Sequence, residues 1–157
     1  TMRLSKNFVL SEITRSNTAR RKGISNEPEK EHLANLQTII TELVQPMRDA
    51  IGPIRISSGY RSPKLNRAIG GSSRSQHCKG EALDLQFWKD GGMNNKVIYD
   101  WVLDSGLEFD QMINEFDFAW IHISFSSGKN RKQVLEAYKN DQGKTAYRHA
   151  SDNIKAL

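Results

Sequence analysis

The chain has 157 residues and a single cysteine, Cys78, so it fits one domain with one core and excludes an internal disulfide framework. No apolar run reaches the roughly 20 residues of a helical membrane span, and only Phe8, Val9 and Leu10 follow Arg3 and Lys6, which is too short for a signal peptide. The net charge of +5 favours a polyanionic partner, but the basic residues are dispersed, with no basic helix or RNA-type aromatic motif, so nucleic acid is not expected.

Residues 8–18 read as one short helix with Ser11 as N-cap, followed by a basic stretch that Gly23 closes. Asn26, Glu27, Pro28 and Glu29 together signal the start of a longer helix. Leu33, Leu36, Ile40, Leu43 and Met47 then recur at three- and four-residue steps, which is a core stripe. Pro46 lacks an amide hydrogen and is expected to kink the last turns. Residues 54–58 alternate and read as a strand, Leu65–Ile69 as one helical turn, and residues 70–73 as a loop. A second strand covers 81–87, with Ala82, Asp84 and Gln86 on one face and Leu83, Leu85 and Phe87 on the other. After a turn at 90–92, Asn94 or Asn95 caps a helix bearing Val97, Ile98, Trp101 and Val102 that stops near Gly106. Residues 109–116 and 119–125 read as strands joined by a turn at Asp117 and Phe118. On the second of them Trp120, His122 and Ser124 share a face. Residues 133–138 fit strand or helix, and the turn at 140–143 favours a terminal β-hairpin. The tail, 151–157, is expected to fray. The pattern is α+β: a single domain, 1–157, with a mainly helical part (1–53) and a small, mainly antiparallel sheet with flanking helices (54–150).

Of the four histidines, His32 reads as a helix-surface residue and His149 as part of the C-terminal end. His77 lies in a polar loop just before the second strand, and Gly80 permits a tight path from it to Asp84. His122 projects from the face opposite its apolar neighbours. Two histidines and one aspartate suit a catalytic zinc with a fourth position open to water. The same set also suits a two-histidine, one-carboxylate iron site, although the seven-residue step from His77 to Asp84 is wide for one. Satisfied core histidines are the plain alternative. The helical HExxH motif is absent.

Ser75, His77, Gly80, Ala82 and Asp84 stand at the spacing SxHxxGxAxD. With the SGYRS run at 58–62 and the WxH segment at 120–122, they resemble the zinc D-Ala-D-Ala carboxypeptidases and the L-alanyl-D-glutamate endolysins, whose metal fold is shared with the Hedgehog signalling domain. The opening at Asn7–Glu12 and the strand at Asp110 and Gln111 resemble a compact bacterial and phage branch. The resemblance implies a Hedgehog/DD-peptidase-like fold and Zn2+ held by His77, Asp84 and His122. It implies that Arg61 binds substrate and stabilises the oxyanion, and that Ser75 lies near the substrate. Relatives carry a carboxylate three residues before the last histidine, where this chain has Ala119. Glu115 is the expected general base instead, with Asp117 second.

The expected activity is metal-assisted hydrolysis of an amide bond in a peptidoglycan stem peptide or crosslink, by a monomer. The alternative is a non-catalytic, zinc-stabilised wall-binding module. Without a signal peptide the chain reads as cytoplasmic when made, reaching the wall after phage holin release or as a virion component.

Overall fold

The alternation along 54–58, 81–87 and 119–125 becomes the middle of one six-stranded sheet. The computed structural model describes residues 2–150; the expectation for the tail beyond Ala150 lies outside them. The strands are β1 (Arg55–Ser58), β2 (Ala82–Gln86), β5 (Gln111–Glu115), β6 (Trp120–Ser124), β7 (Gln133–Lys139) and β8 (Thr145–His149). Their order is β1-β2-β6-β5-β7-β8. Every pairing is antiparallel except β5 with β7, which is parallel. The expected terminal hairpin forms, and Asn140 Oδ1 shapes its turn by accepting from the amides of Gln142 and Lys144. A two-strand hairpin, β3 (Trp88–Lys89) and β4 (Gly92–Met93), turns through Asp90 and Gly91. The sequence reading gave that segment only the turn.

One face of the sheet is covered by helices. Leu83, Leu85, Ile121 and Ile123 are fully buried there against Leu36, Ile39, Ile40, Leu43 and Met47. Each such side chain contributes about 1.5–3 kcal/mol by leaving water. The long helical stretch divides into α3 (Lys30–Ile39), a π-helical turn (Ile40–Val44) and α4 (Gln45–Ile51). Pro46 sits at the start of α4, and the preceding wide turn absorbs its missing donor, with the Gln45 amide bonding the Ile40 carbonyl.

The N-terminal helix expected at 8–18 is two helices, α1 (Leu10–Thr14) and α2 (Asn17–Lys22). Ser16 is extended and its side chain accepts from the Ala19 amide, so it restarts the helix. Ser11 lies inside α1, whose cap position is Val9; Glu12 accepts from the Val9 amide instead. Gly23 ends α2 in a left-handed conformation as expected. The turn at 65–69 is a helix, α5 (Pro63–Ala68), and α6 spans Lys96–Ser105 against α4. His32 is not a surface residue. Its side chain is largely covered, and Nδ1 meets the Tyr60 hydroxyl at 2.9 Å.

Candidate metal centre and active site

Asp84 and His122 are direct partners in the β2–β6 register. Their side chains therefore leave the sheet on one face, opposite the buried leucines and isoleucines. His77 enters from a 3-10 turn, Gln76–Lys79, just before β2. Ser75 caps that turn, its hydroxyl accepting from the His77 amide at 3.2 Å. Gly80 ends it with φ 74°, and a Cβ there would lie 2.3 Å from the His32 carbonyl oxygen. Only glycine takes this path so close to α3.

The His77 Nδ1 lies 2.8 Å from the Gly59 carbonyl. A carbonyl only accepts, so Nδ1 carries the hydrogen and Nε2 keeps its lone pair. Nε2 points at Asp84 Oδ1, 3.5 Å away, and His122 Nδ1 is 3.1 Å from the same oxygen. One donor atom from each of the three residues lies within 4.8 Å of the others. Two ligands of a tetrahedral zinc stand about 3.4 Å apart at ordinary bond lengths. The observed separations bracket that value, and the Gly59 carbonyl is the outer partner that fixes a ligating imidazole. The donor set fits a zinc ion. Burial opposes ionisation of Asp84, but the hydrogen bond with His122 and the nearby His77 imidazole outweigh it and hold the carboxyl well below the usual range. Asp84 is thus a carboxylate at neutral pH.

Glu115 ends β5 directly opposite Trp120, one same-face position along from the Ile113–His122 pair. It therefore stands on the metal face, and it is buried. Burial pushes its pKa up; the charge of His122 opposes the rise and that of Asp84 adds to it. Asp117 is exposed in the β5–β6 turn, where Phe116, Asp117 and Phe118 all have positive φ. Arg61 is tied to the His77 turn: its amide donates to the His77 carbonyl at 3.2 Å and its Nη2 to the Ser75 hydroxyl at 3.4 Å. Its Nε is buried without a partner among the described residues. Ser75 thus serves both the turn and Arg61. Along β1 runs a groove of about 690 Å³ lined by Arg15, Arg55, Arg61 and the β1 backbone; none of the three donor residues lines it.

The sequence reading missed two residues that hold this geometry. Gly59 supplies the carbonyl behind His77, and a Cβ there would sit 2.3 Å from the Ile13 carbonyl oxygen. Asn95 stands at the cap position of α6 but does not cap it. Its Oδ1 accepts from the Phe87 amide, and its Nδ2 donates to the Phe118 and Ala119 carbonyls, so it clamps the end of β2 to the turn before β6. Glycine within the SGYRS run was a usable signal for the first; nothing local marks the second.

A segment of 44 residues is 46% identical to a zinc D-Ala-D-Ala carboxypeptidase of Streptomyces albus G. That segment is 27% of this chain and 17% of the relative. A family model described as peptidase M15 matches residues 6–124, from the segment before α1 to the end of β6. The match takes in the 3-10 turn and the two strands that carry His77, Asp84 and His122, and on it the chain belongs to the peptidase M15 family.

Proposed function

We propose that this chain is a zinc peptidase that hydrolyses an amide bond in peptidoglycan stem peptides or crosslinks. The convergence of His77 Nε2, Asp84 Oδ1 and His122 Nδ1 on one sheet face, with Glu115 on the same face, carries the reading. The three residues hold the metal. A zinc ion there would supply Lewis acidity toward the scissile carbonyl and would bring the pKa of water down to about 7. Glu115 takes the proton of the attacking water and delivers it to the departing amine. Its raised pKa makes it a stronger base than an ordinary surface carboxylate. Arg61 places a permanent positive charge, with an uncommitted Nε–H, beside the His77 turn to meet the developing oxyanion or a substrate carboxylate. The arginines of the β1 groove favour approach of an anionic wall.

The name of the Streptomyces relative, a zinc D-Ala-D-Ala carboxypeptidase, supports the D-Ala-D-Ala bond ahead of L-Ala-D-Glu. The wall-binding alternative was motivated by Ala119 standing where relatives carry an acid. Glu115 on the metal face weakens that motive.

The test is digestion of purified peptidoglycan with and without a chelator, read by mass spectrometry of released fragments. Chelator-sensitive products are expected, and their masses name the bond. Glu115→Gln should lower turnover by about 10²–10⁴-fold, the usual worth of a general base, with zinc still bound. Undiminished turnover in that variant moves the base elsewhere, and zinc-bound protein that releases nothing from any wall type defeats the peptidase reading.

A further inference from the structure

The family match stops at Ser124, the last residue of β6, yet the sheet continues through β7 and β8. Those two strands extend it on the side of Glu115, away from Arg61 and β1. The register fixes what they present. Glu115 is opposite Ala137 in the parallel β5–β7 pairing, and Ala137 is opposite Tyr147 in the antiparallel β7–β8 pairing. The three residues form one row across the sheet on the face that bears the metal donors. With strands about 4.8 Å apart, the Cα of Tyr147 is about 10 Å from that of Glu115.

The middle of the row is an alanine, which leaves room above it. Ala137 is nevertheless only 1% exposed, although the helices pack on the other face of the sheet. Its larger neighbours in the row, Glu115 and Tyr147, flank it on either side. Tyr147 keeps 55% of its surface open. That open surface is available to a ligand. After burial, the charges of Glu115 and Asp84 both push its phenol pKa up, so its oxygen lies within the field of the catalytic groups. The rim beside it is aromatic as well: Phe116 stacks edge-on against Trp120 at 5.5 Å and carries Lys139 Nζ 5.0 Å above its ring.

We propose that the β7–β8 hairpin forms one wall of the substrate site on the metal face and that Tyr147 contacts the peptide substrate there. Its ring packs against the peptide and its hydroxyl hydrogen-bonds a peptide carbonyl or carboxylate on the side of the scissile bond away from Arg61. A half-covered tyrosine suits this role, since it offers an apolar body and a polar tip at little entropic cost. The inference rests on the peptidase reading for the identity of the ligand.

The experiment uses the full zinc-loaded chain and a synthetic stem pentapeptide ending in D-Ala-D-Ala, which contains both candidate bonds. Tyr147→Ala should raise KM about tenfold with zinc content and melting temperature unchanged, and Tyr147→Phe should raise it about threefold. Arg148→Ala alters the opposite face, where Arg148 pairs with Glu136, and should leave kcat and KM as they are. Wild-type KM and kcat in Tyr147→Ala overturn the inference. So does a loss that tracks a fall in melting temperature across the Tyr147 variants, because that is a structural role. If the wild-type chain does not turn the pentapeptide over, calorimetric binding of the same peptide decides. Binding that Tyr147→Ala weakens upholds the contact while the peptidase reading fails, and no binding at all overturns both.

Discussion

The two halves of the sheet are built on different pairings and carry different burdens. In the half made of β1, β2, β6 and β5 every pairing is antiparallel, and the donors Asp84 and His122 face each other directly. A one-residue slip there would turn one donor to the core and put a buried leucine or isoleucine in its place. Gly59, Gly80 and Asn95 each restrain this half by contacts that no other side chain reproduces. The β7–β8 half joins through one parallel pairing and holds itself by a polar turn and an exposed Arg148–Glu136 pair. It carries no metal donor, and the family match ends where it begins. The first half sets the chemistry. The second carries none of the three donors, so a substitution there leaves their pairing in place.

The harshest way to break the comparison is to remove a donor. Asp84→Ala deletes the oxygen on which both histidines converge. Zinc affinity should fall by more than the 10–100-fold typical of an outer-shell loss, and hydrolysis should vanish with it. Metal analysis after dialysis checks this, with Glu136→Ala on the hairpin as the contrast that keeps its zinc. Equal zinc in the Asp84 variant would mean that the metal is held elsewhere.

A milder change acts through the backbone. In Gly59→Ala the new methyl would press on the Ile13 carbonyl, and backbone cannot yield as a side chain tip does. Such overpacking costs about 1–3 kcal/mol, a drop of several degrees in melting temperature for a chain of this size. The Gly59 carbonyl would shift with it, so zinc affinity should fall about tenfold even in the folded fraction. Thermal melts with and without zinc separate the two effects. An unchanged melting temperature would show that α1 gives way without cost.

These contrasts follow what the sequence could and could not reveal. The period of two along 81–87 and 119–125 assigned Asp84 and His122 to outward faces, because both neighbours of each are apolar. The register that makes them direct partners depends on turns and packing far from either residue. The α+β class and the terminal hairpin were legible in strand alternation and in the turn at 140–143. The parallel docking of that hairpin onto β5 was not, since a crossover of polar residues carries no mark of where it lands. The break at Arg15 and Ser16 was hidden because Ser16 can serve a helix interior or a cap, and tertiary packing chose the cap. His32 was misplaced for a similar reason: its partner Tyr60 lies 28 residues away. Glu115 was already the expected base in place of the acid missing at Ala119, because its strand was expected to pair with that of His122, and the pairing puts it on the metal face.

The smallest effect lies at the junction of the halves. Asp110 is buried and accepts from the Arg131 amide, Nε and Nη2 and from Gln76 Nε2. Arg131 belongs to the crossover from β6 to β7, and Gln76 precedes His77, so one carboxylate ties the hairpin's entry to the metal turn. Hydrogen bonds from Arg131 hold the Asp110 pKa below its ordinary value, against a smaller opposing effect of burial. A depressed folded pKa means the contribution is complete above the unfolded value of about 3.9 and is lost as pH falls through the folded one. Asp110→Asn should therefore cost about 1 kcal/mol at pH 7, a modest figure because Arg131 is half exposed to solvent. Below pH 4 the difference from wild type should narrow, as the wild-type carboxyl protonates too. Melting temperatures of the two chains between pH 3 and 7 check the sign. A gap that stays constant through the acid range would show that the variant acts by shape and not by charge, and that the two halves are joined by packing alone.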